Sequence, residues 1–154
     1  MLSCNEGIEP LPESLQPVFS GKVTFVGDWP TDITATHIVM FKETLEDSSD
    51  FSIVNLGFIS EEIPAGSTEF EYNTSLNAII GTIEAREYAY LVVAQSKSEG
   101  LSLERKDWFV VGIYCNDTDI ICTGRIDVPE GAYLENIDII CDFNNPPPQP
   151  PGGL

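Results

Sequence analysis

The sequence predicts an all-β protein, a single antiparallel β-sandwich of about seven or eight strands. Three observations carry this. Short runs rich in Val, Ile, Phe, Tyr and Trp recur along the chain. Turn residues separate them at intervals of roughly 8–12 residues. No segment sustains the 3.6-residue apolar period of an amphipathic helix.

Taken in order, Lys22-Val23-Thr24-Phe25-Val26 alternates and puts Val23 and Phe25 on one face, and Asp28-Trp29-Pro30-Thr31-Asp32 ends it. His37 to Phe41 is the next apolar run. Glu43 to Asp50 reads as an acidic loop, Phe51 to Ile59 as a strand, and Ile63-Pro64-Ala65-Gly66 as a turn. Glu69-Phe70-Glu71-Tyr72-Asn73 alternates strictly, so it should have one wet face. Tyr88 to Ala94 is apolar throughout and Trp108 to Tyr114 is of the same kind; both read as central strands covered on both sides. Ile126 and Val128 alternate against Arg125 and Asp127 within Ile120 to Val128. After the turn Pro129-Glu130-Gly131, Tyr133 to Phe143 sets Ile137, Ile139 and Cys141 opposite Asp138 and Asp142, and the two segments suggest a hairpin. The domain organisation expected is a tether over 1–20, the sandwich over 21–143 and a Pro/Gly-rich tail over 144–154. Proline has no N–H for a ladder, so the tail should be extended polyproline II: a spacer, a docking strand or a terminal stub.

At 154 residues the chain is long enough for one core, and 25 acidic against 7 basic residues give a net charge of −18. That field repels phosphate backbones and argues against nucleic-acid binding. The basic residues are scattered, with Arg105-Lys106 the only adjacent pair. His37 is the only histidine, and neither a Gly-x-Ser-x-Gly elbow nor a His-Glu-x-x-His motif is present, so no catalytic residue is assigned. Two loops crowd oxygen ligands: Asn116, Asp117 and Asp119, and Glu46, Asp47 and Asp50. Such groups suit calcium, although neither loop has the EF-hand spacing, and a solvated acidic loop is the ordinary alternative. Trp29, beside Asp28 and Pro30, and Tyr72, if it lies on the wet face, are candidates for an aromatic carbohydrate platform.

The opening Leu2-Ser3-Cys4, followed by an acidic, proline-containing stretch, resembles the lipobox of bacterial lipoproteins. The resemblance implies a lipid on Cys4 and a place at the bacterial outer membrane or cell surface, or secretion. With Cys4 so used, three cysteines remain. Cys115 and Cys122 flank the short Asn116–Asp119 loop and can bridge it in an exported protein. A Cys115–Cys141 bridge, or three buried thiols, are the rival arrangements. The opening strand Gly21-Lys22-Val23-Thr24-Phe25, the central Tyr88 to Ala94, and the closing Val128-Pro129-Glu130-Gly131 with Asn136-Ile137-Asp138-Ile139 resemble transthyretin-like (prealbumin-like) sandwiches, related to carboxypeptidase regulatory-like domains. An Ig-like sandwich is the other topology considered. The resemblance implies a noncatalytic, lipid-anchored binding or assembly protein. Its partners would be a membrane, through the lipid, and an envelope or surface protein or glycan. A carbohydrate- or calcium-binding accessory module is the alternative.

Overall fold

The computed structural model describes residues 16–116 and 120–152 and is all-β. Its strands are β1 (Val18–Val26), β2 (Ala35–Phe41), β3 (Leu56–Ser60), β4 (Glu69–Asn73), β5 (Ala78–Ile80), β6 (Arg86–Tyr88), β7 (Tyr90–Ser96), β8 (Trp108–Ile113), β9 (Ile126–Val128), β10 (Tyr133–Leu134) and β11 (Ile139–Asp142). Nine of them form one mixed sheet in the order β10-β1-β11-β8-β7-β2-β3-β5, with β4 also paired to β1; β6 and β9 make a separate ribbon.

β1 is the hub. It runs antiparallel to β4, from Ser20↔Asn73 to Thr24↔Glu69, and parallel to β11, from Val23↔Ile139 to Val26↔Asp142. Between β10 and β11, which lie along the same edge of β1, the chain bulges over Gly21, where a Cβ would lie 1.9 Å from the Ile137 carbonyl oxygen. Only glycine leaves room there, and the bulge is fixed by Ile137 N donating to Ser20 O (3.0 Å) and Tyr72 Oη donating to Ile137 O (2.7 Å).

The sheet curls at β11–β8, a seam whose bridge is Cys141↔Gly112. Gly112 has no side chain to collide with the Cys141 sulfur, which would sit 2.5 Å from an added Cβ. Beyond this seam β1 comes to face β3, with the Phe19 and Phe58 rings 6.5 Å apart. The inner face buries one cluster, including Phe19, Val23, Met40, Phe58, Leu91 and Val93. Because successive side chains alternate, the outer face of the same strands carries Val39, Phe41, Ile59, Val92, Ala94, Trp108 and Val110, and these are buried too. In β2 and β7 every residue after the first is buried.

Several expected elements fall differently. β1 and β11 are parallel, so the sheet is mixed and not antiparallel throughout. The hairpin expected of Ile120–Val128 with Tyr133–Phe143 does not form: β9 pairs with β6, and β11 is held between β1 and β8. Ile120 and Ile121 stand in solvent. Phe51 to Asn55 is turn, because Asp50 and Asn55 tie that loop through side-chain bonds, and the strand begins at Leu56. β1 begins at Val18, three residues before Gly21.

Candidate functional site

The outer face of β7 and β8 is covered by chain that is not strand, and this cover forms the site. Its centre is Arg105, in the short 3-10 turn Arg105–Asp107 that leads into β8. The turn is folded inward by Trp108, whose Nε1 donates to Ser102 O (2.8 Å), and by Ser102, whose hydroxyl donates to the Asp107 carboxylate. Arg105 is thereby carried under the loop and is only 5% exposed, the one buried Lys or Arg among the described residues. Its partners are carbonyls: Nη1 donates to Trp108 O (2.6 Å), Nη2 to Pro150 O (2.8 Å) and Nε to Pro151 O (3.1 Å). Burial lowers its pKa from the ordinary value.

The proline-rich segment 146–152 lies along the N-terminal half of β8, where β7 takes only one edge. At the other edge the Gln149 carboxamide does what a neighbouring strand would do. Val110 N donates to Gln149 Oε1, and Gln149 Nε2 donates to Val110 O, both at 2.8 Å. From Pro146 to Pro151 only Gln149 is not a proline. The backbone there has almost no N–H to offer, so one side-chain amide supplies donor and acceptor together.

This wall separates two cavities. On one side is an apolar slot with room of about 30 Å³, lined by Val39, Phe41, Phe51, Tyr90, Trp108 and Pro150 among others. That is water-sized space within a close-packed layer. Burial pushes the Tyr90 hydroxyl up to about 12. Exposed Ile53 and Leu103 are among its lining residues. On the other side is an open cleft of about 680 Å³, bounded by Asp32, Lys97, Lys106, Asp107, Phe109 and Gln149 among others. That volume lies in the range of small-molecule sites, roughly 300–1,000 Å³. Three of the seven basic residues, Lys97, Arg105 and Lys106, line it. Lys97 pairs with Asp32 at 2.6 Å and holds its carboxyl below the usual range; Glu104, 3.0 Å from Lys106, raises that ammonium.

The residues singled out from sequence are not brought together. Cys4, Asp117 and Asp119 lie outside the described residues. Asn116 lies next to the Cys115–Cys122 disulfide, whose Cα atoms are 4.4 Å apart. Cys141 is a buried thiol at the sheet seam, pushed up to about 12 by burial. In the other acidic loop the carboxylates are engaged locally: Asp50 accepts from Glu46 N and Asp47 N, and Asp47 from Ser49 N, a capping box that accounts for the crowding. The Ser49 bonds also hold the Asp47 carboxyl below its usual range.

Tyr72 does not sit on a wet face. It is 3% exposed and points inward, and the solvent side of β4 belongs to Glu69 and Glu71. The strand alternates with period two as expected, with Tyr72 turned inward so that its hydroxyl reaches Ile137 O. Trp29 is not an open platform either. Its ring packs on Phe25 (4.7 Å) and Phe143 (5.3 Å) and its Nε1 donates to Ser67 O (2.8 Å). His37 is buried, with Nδ1 2.9 Å from Ser60 O and its ring edge-on to Trp108. The residues that do converge, Arg105, Phe109 and Gln149, carry weak sequence signals: an adjacent basic pair, an aromatic inside an apolar run, and one amide among prolines.

No protein-family model, characterised protein or solved structure matches this chain.

Proposed function

We propose that this is a noncatalytic binding or assembly protein of the bacterial envelope or cell surface, lipid-anchored through Cys4. The observation that carries the binding reading is the 680 Å³ cleft at the edge of β8, bounded by a buried arginine and a docked proline-rich segment. The side chains best suited to covalent or acid–base chemistry are otherwise engaged: His37 on Ser60 O, Cys115 and Cys122 with each other, and Cys141 buried as a high-pKa thiol. The anchor rests on Leu2-Ser3-Cys4 and the acidic stretch behind it. The same reading takes the curled sheet as a transthyretin-like sandwich, with β4-β1-β11 as one layer and β8-β7-β2-β3 as the other. The Phe19–Phe58 contact between β1 and β3 supports that division.

A carbohydrate ligand is the second reading, favoured by Phe109, which is 44% exposed in the cleft alongside the Asp32–Lys97 pair. The platform then moves from Trp29 and Tyr72 to Phe109. Both readings are tested on a soluble Cys4→Ser form incubated with isolated bacterial envelopes. Phe109→Glu should cut retention at least about tenfold with the circular dichroism spectrum unchanged; unchanged retention removes the cleft from the binding reading. Chemical-shift titration with envelope glycan fragments should move the Phe109 and Lys97 amides if the ligand is a sugar. Expressed with a complete export signal, the protein should partition with membranes, and an unmodified Cys4 in its mass spectrum would overturn the anchor.

A further inference from the structure

We infer that the free edge of β8, with Arg105 above it, is a receptor for an extended proline-rich polypeptide of a partner protein, and that segment 146–152 occupies it in cis as a built-in competitor. The inference rests on the binding reading above and names the partner's chemistry. The groove asks for three things. Arg105 offers two donors, Nε and Nη2, to successive main-chain carbonyls, met here by Pro151 O and Pro150 O. Val110 offers one donor and one acceptor, spaced for a single carboxamide. Pro150 enters the lining of the apolar slot. None of these demands an N–H from the ligand backbone, so a polyproline II chain fits where a β-strand would leave its own N–H groups to be satisfied. The specified ligand is a Gln-Pro-Pro unit with proline before the glutamine.

The cis occupant is held in a way that permits release. Phe143 is fixed, its ring 5.9 Å from Phe25 and 5.3 Å from Trp29. Asn144, Asn145 and Pro146 are exposed. Beyond them the hold is four hydrogen bonds to Arg105 and Val110, the Pro150 contact in the slot and the packing of Gly152 against Ser48 and Arg105. The segment can therefore swing about Asn144–Asn145 while β11 and the inner core keep their partners. Occupation in cis scales a partner's apparent affinity down to the fraction of chains whose groove is open.

The test compares the full chain with one ending at Asn145, each titrated with a synthetic peptide of residues 144–154. The shortened chain, folded by circular dichroism, should bind one peptide and shift the Val110 amide resonance. A peptide carrying Gln149→Ala should bind about tenfold or more weakly, since Val110 N–H and C=O both lose their partner. The full chain should bind the original peptide at least about tenfold more weakly than the shortened chain. No saturable binding by the folded shortened chain overturns the inference, and so does equal affinity for the Ala peptide. Self-association of the full chain that vanishes on shortening makes the occupant a second copy and overturns the assignment to a separate partner. If the shortened chain loses its fold, the full chain with Gln149→Ala carries the test: it should bind the original peptide about tenfold more tightly than the unmodified chain, and equal affinity overturns the inference. Each failure leaves the Phe109→Glu retention result standing, because that experiment reads the cleft and this one reads the strand edge.

Discussion

Leu91 and Val93 on the inner face of β7, and Val92 and Ala94 on its outer face, are equally buried, but by different means. The inner pair is sealed by strands, whose main-chain groups satisfy one another across β1, β4, β11 and β8. The outer pair is sealed by the loop around Phe51, the turn before Trp108 and the proline-rich segment, held by a few side chains: Arg105, Gln149, Asp50 and Asn55. These β7 side chains are equally buried, although the inner cluster is the larger; the number of groups that must let go to expose them is not the same on the two faces. A sheet face covered by strands opens only with the fold, whereas one covered by tethered loops can open by itself. The slot lies where the loop cover meets the outer face, whereas the cleft, lined by Gln95, Phe109 and Val111, opens past Gln149 on the other side of the β8 edge.

The largest effect expected is on the inner side. Phe58 is fully buried against Phe19, so Phe58→Ala should lower unfolding stability by roughly 3–5 kcal/mol. Phe51→Ala on the outer cover, half-buried against Phe41, should cost less than half as much. Urea titrations of the two variants read the contrast, and equal losses would erase it.

Next in size is Arg105→Leu. The three carbonyls it serves would be left to find water, at a cost of about 2–3 kcal/mol. The loss should be concentrated in the outer cover, so Trp108 fluorescence should change while the far-ultraviolet dichroism holds. Arg105→Lys should rescue little, because a point ammonium cannot reach three carbonyls set around a planar fork.

Alkaline pH acts on both faces. Cys141, inside, and Tyr90, outside, are each pushed up to about 12 by burial, from ordinary values of 9.0 and 10.0. In each case the unfolded chain loses its proton first, so stability is fully present below the unfolded value and falls as pH rises through it. The protein should begin to lose stability near pH 9, at about 1.4 kcal/mol per pH unit for each group that has begun to titrate. Cys141→Ala should delay the onset to about pH 10, where Tyr72, Tyr88 and Tyr90, all raised by burial, take over. An onset unmoved by that substitution would show that the seam thiol does not govern it.

The inner face was largely legible in the sequence and the outer cover was not. Continuous apolar runs at Tyr88–Ala94 and Trp108–Tyr114 pointed to strands buried on both sides, and Val23 and Phe25 gave the inward phase of β1, because side-chain period is a local property. Which strand lies beside which is not local. The parallel β1–β11 pairing depends on Gly21 admitting Ile137 from more than a hundred residues away, and in isolation that glycine reads as a turn residue. The site suffers most from this. Arg105 looks like half of a surface basic pair and Gln149 like a spacer within low-complexity sequence. Each gains meaning from main-chain groups at the other's position: Arg105 from Pro150 and Pro151, Gln149 from Val110. Trp29 and Tyr72 were conspicuous as residue types, yet both turn their rings to the interior.

The smallest effect on global stability is also the sharpest test of independence between the faces. Gln149→Ala removes two hydrogen bonds at the edge of β8, where water can replace them, so unfolding stability should fall by only about 1 kcal/mol. The Val110 amide, however, loses its acceptor outright. Its hydrogen exchange should quicken by at least about tenfold, and Trp108 fluorescence should report a looser outer layer. The Val93 amide, within β7 and between two paired strands, should exchange at a rate set by global unfolding, slowed or quickened only by the same small change in stability. If Val93 and Val110 accelerate in proportion, the outer cover and the inner core open as one unit. The proline-rich segment would then be a structural strand substitute and not a removable occupant. If Val110 alone accelerates, the cover opens on a folded core, which is the motion that admission of any ligand to the β8 edge requires.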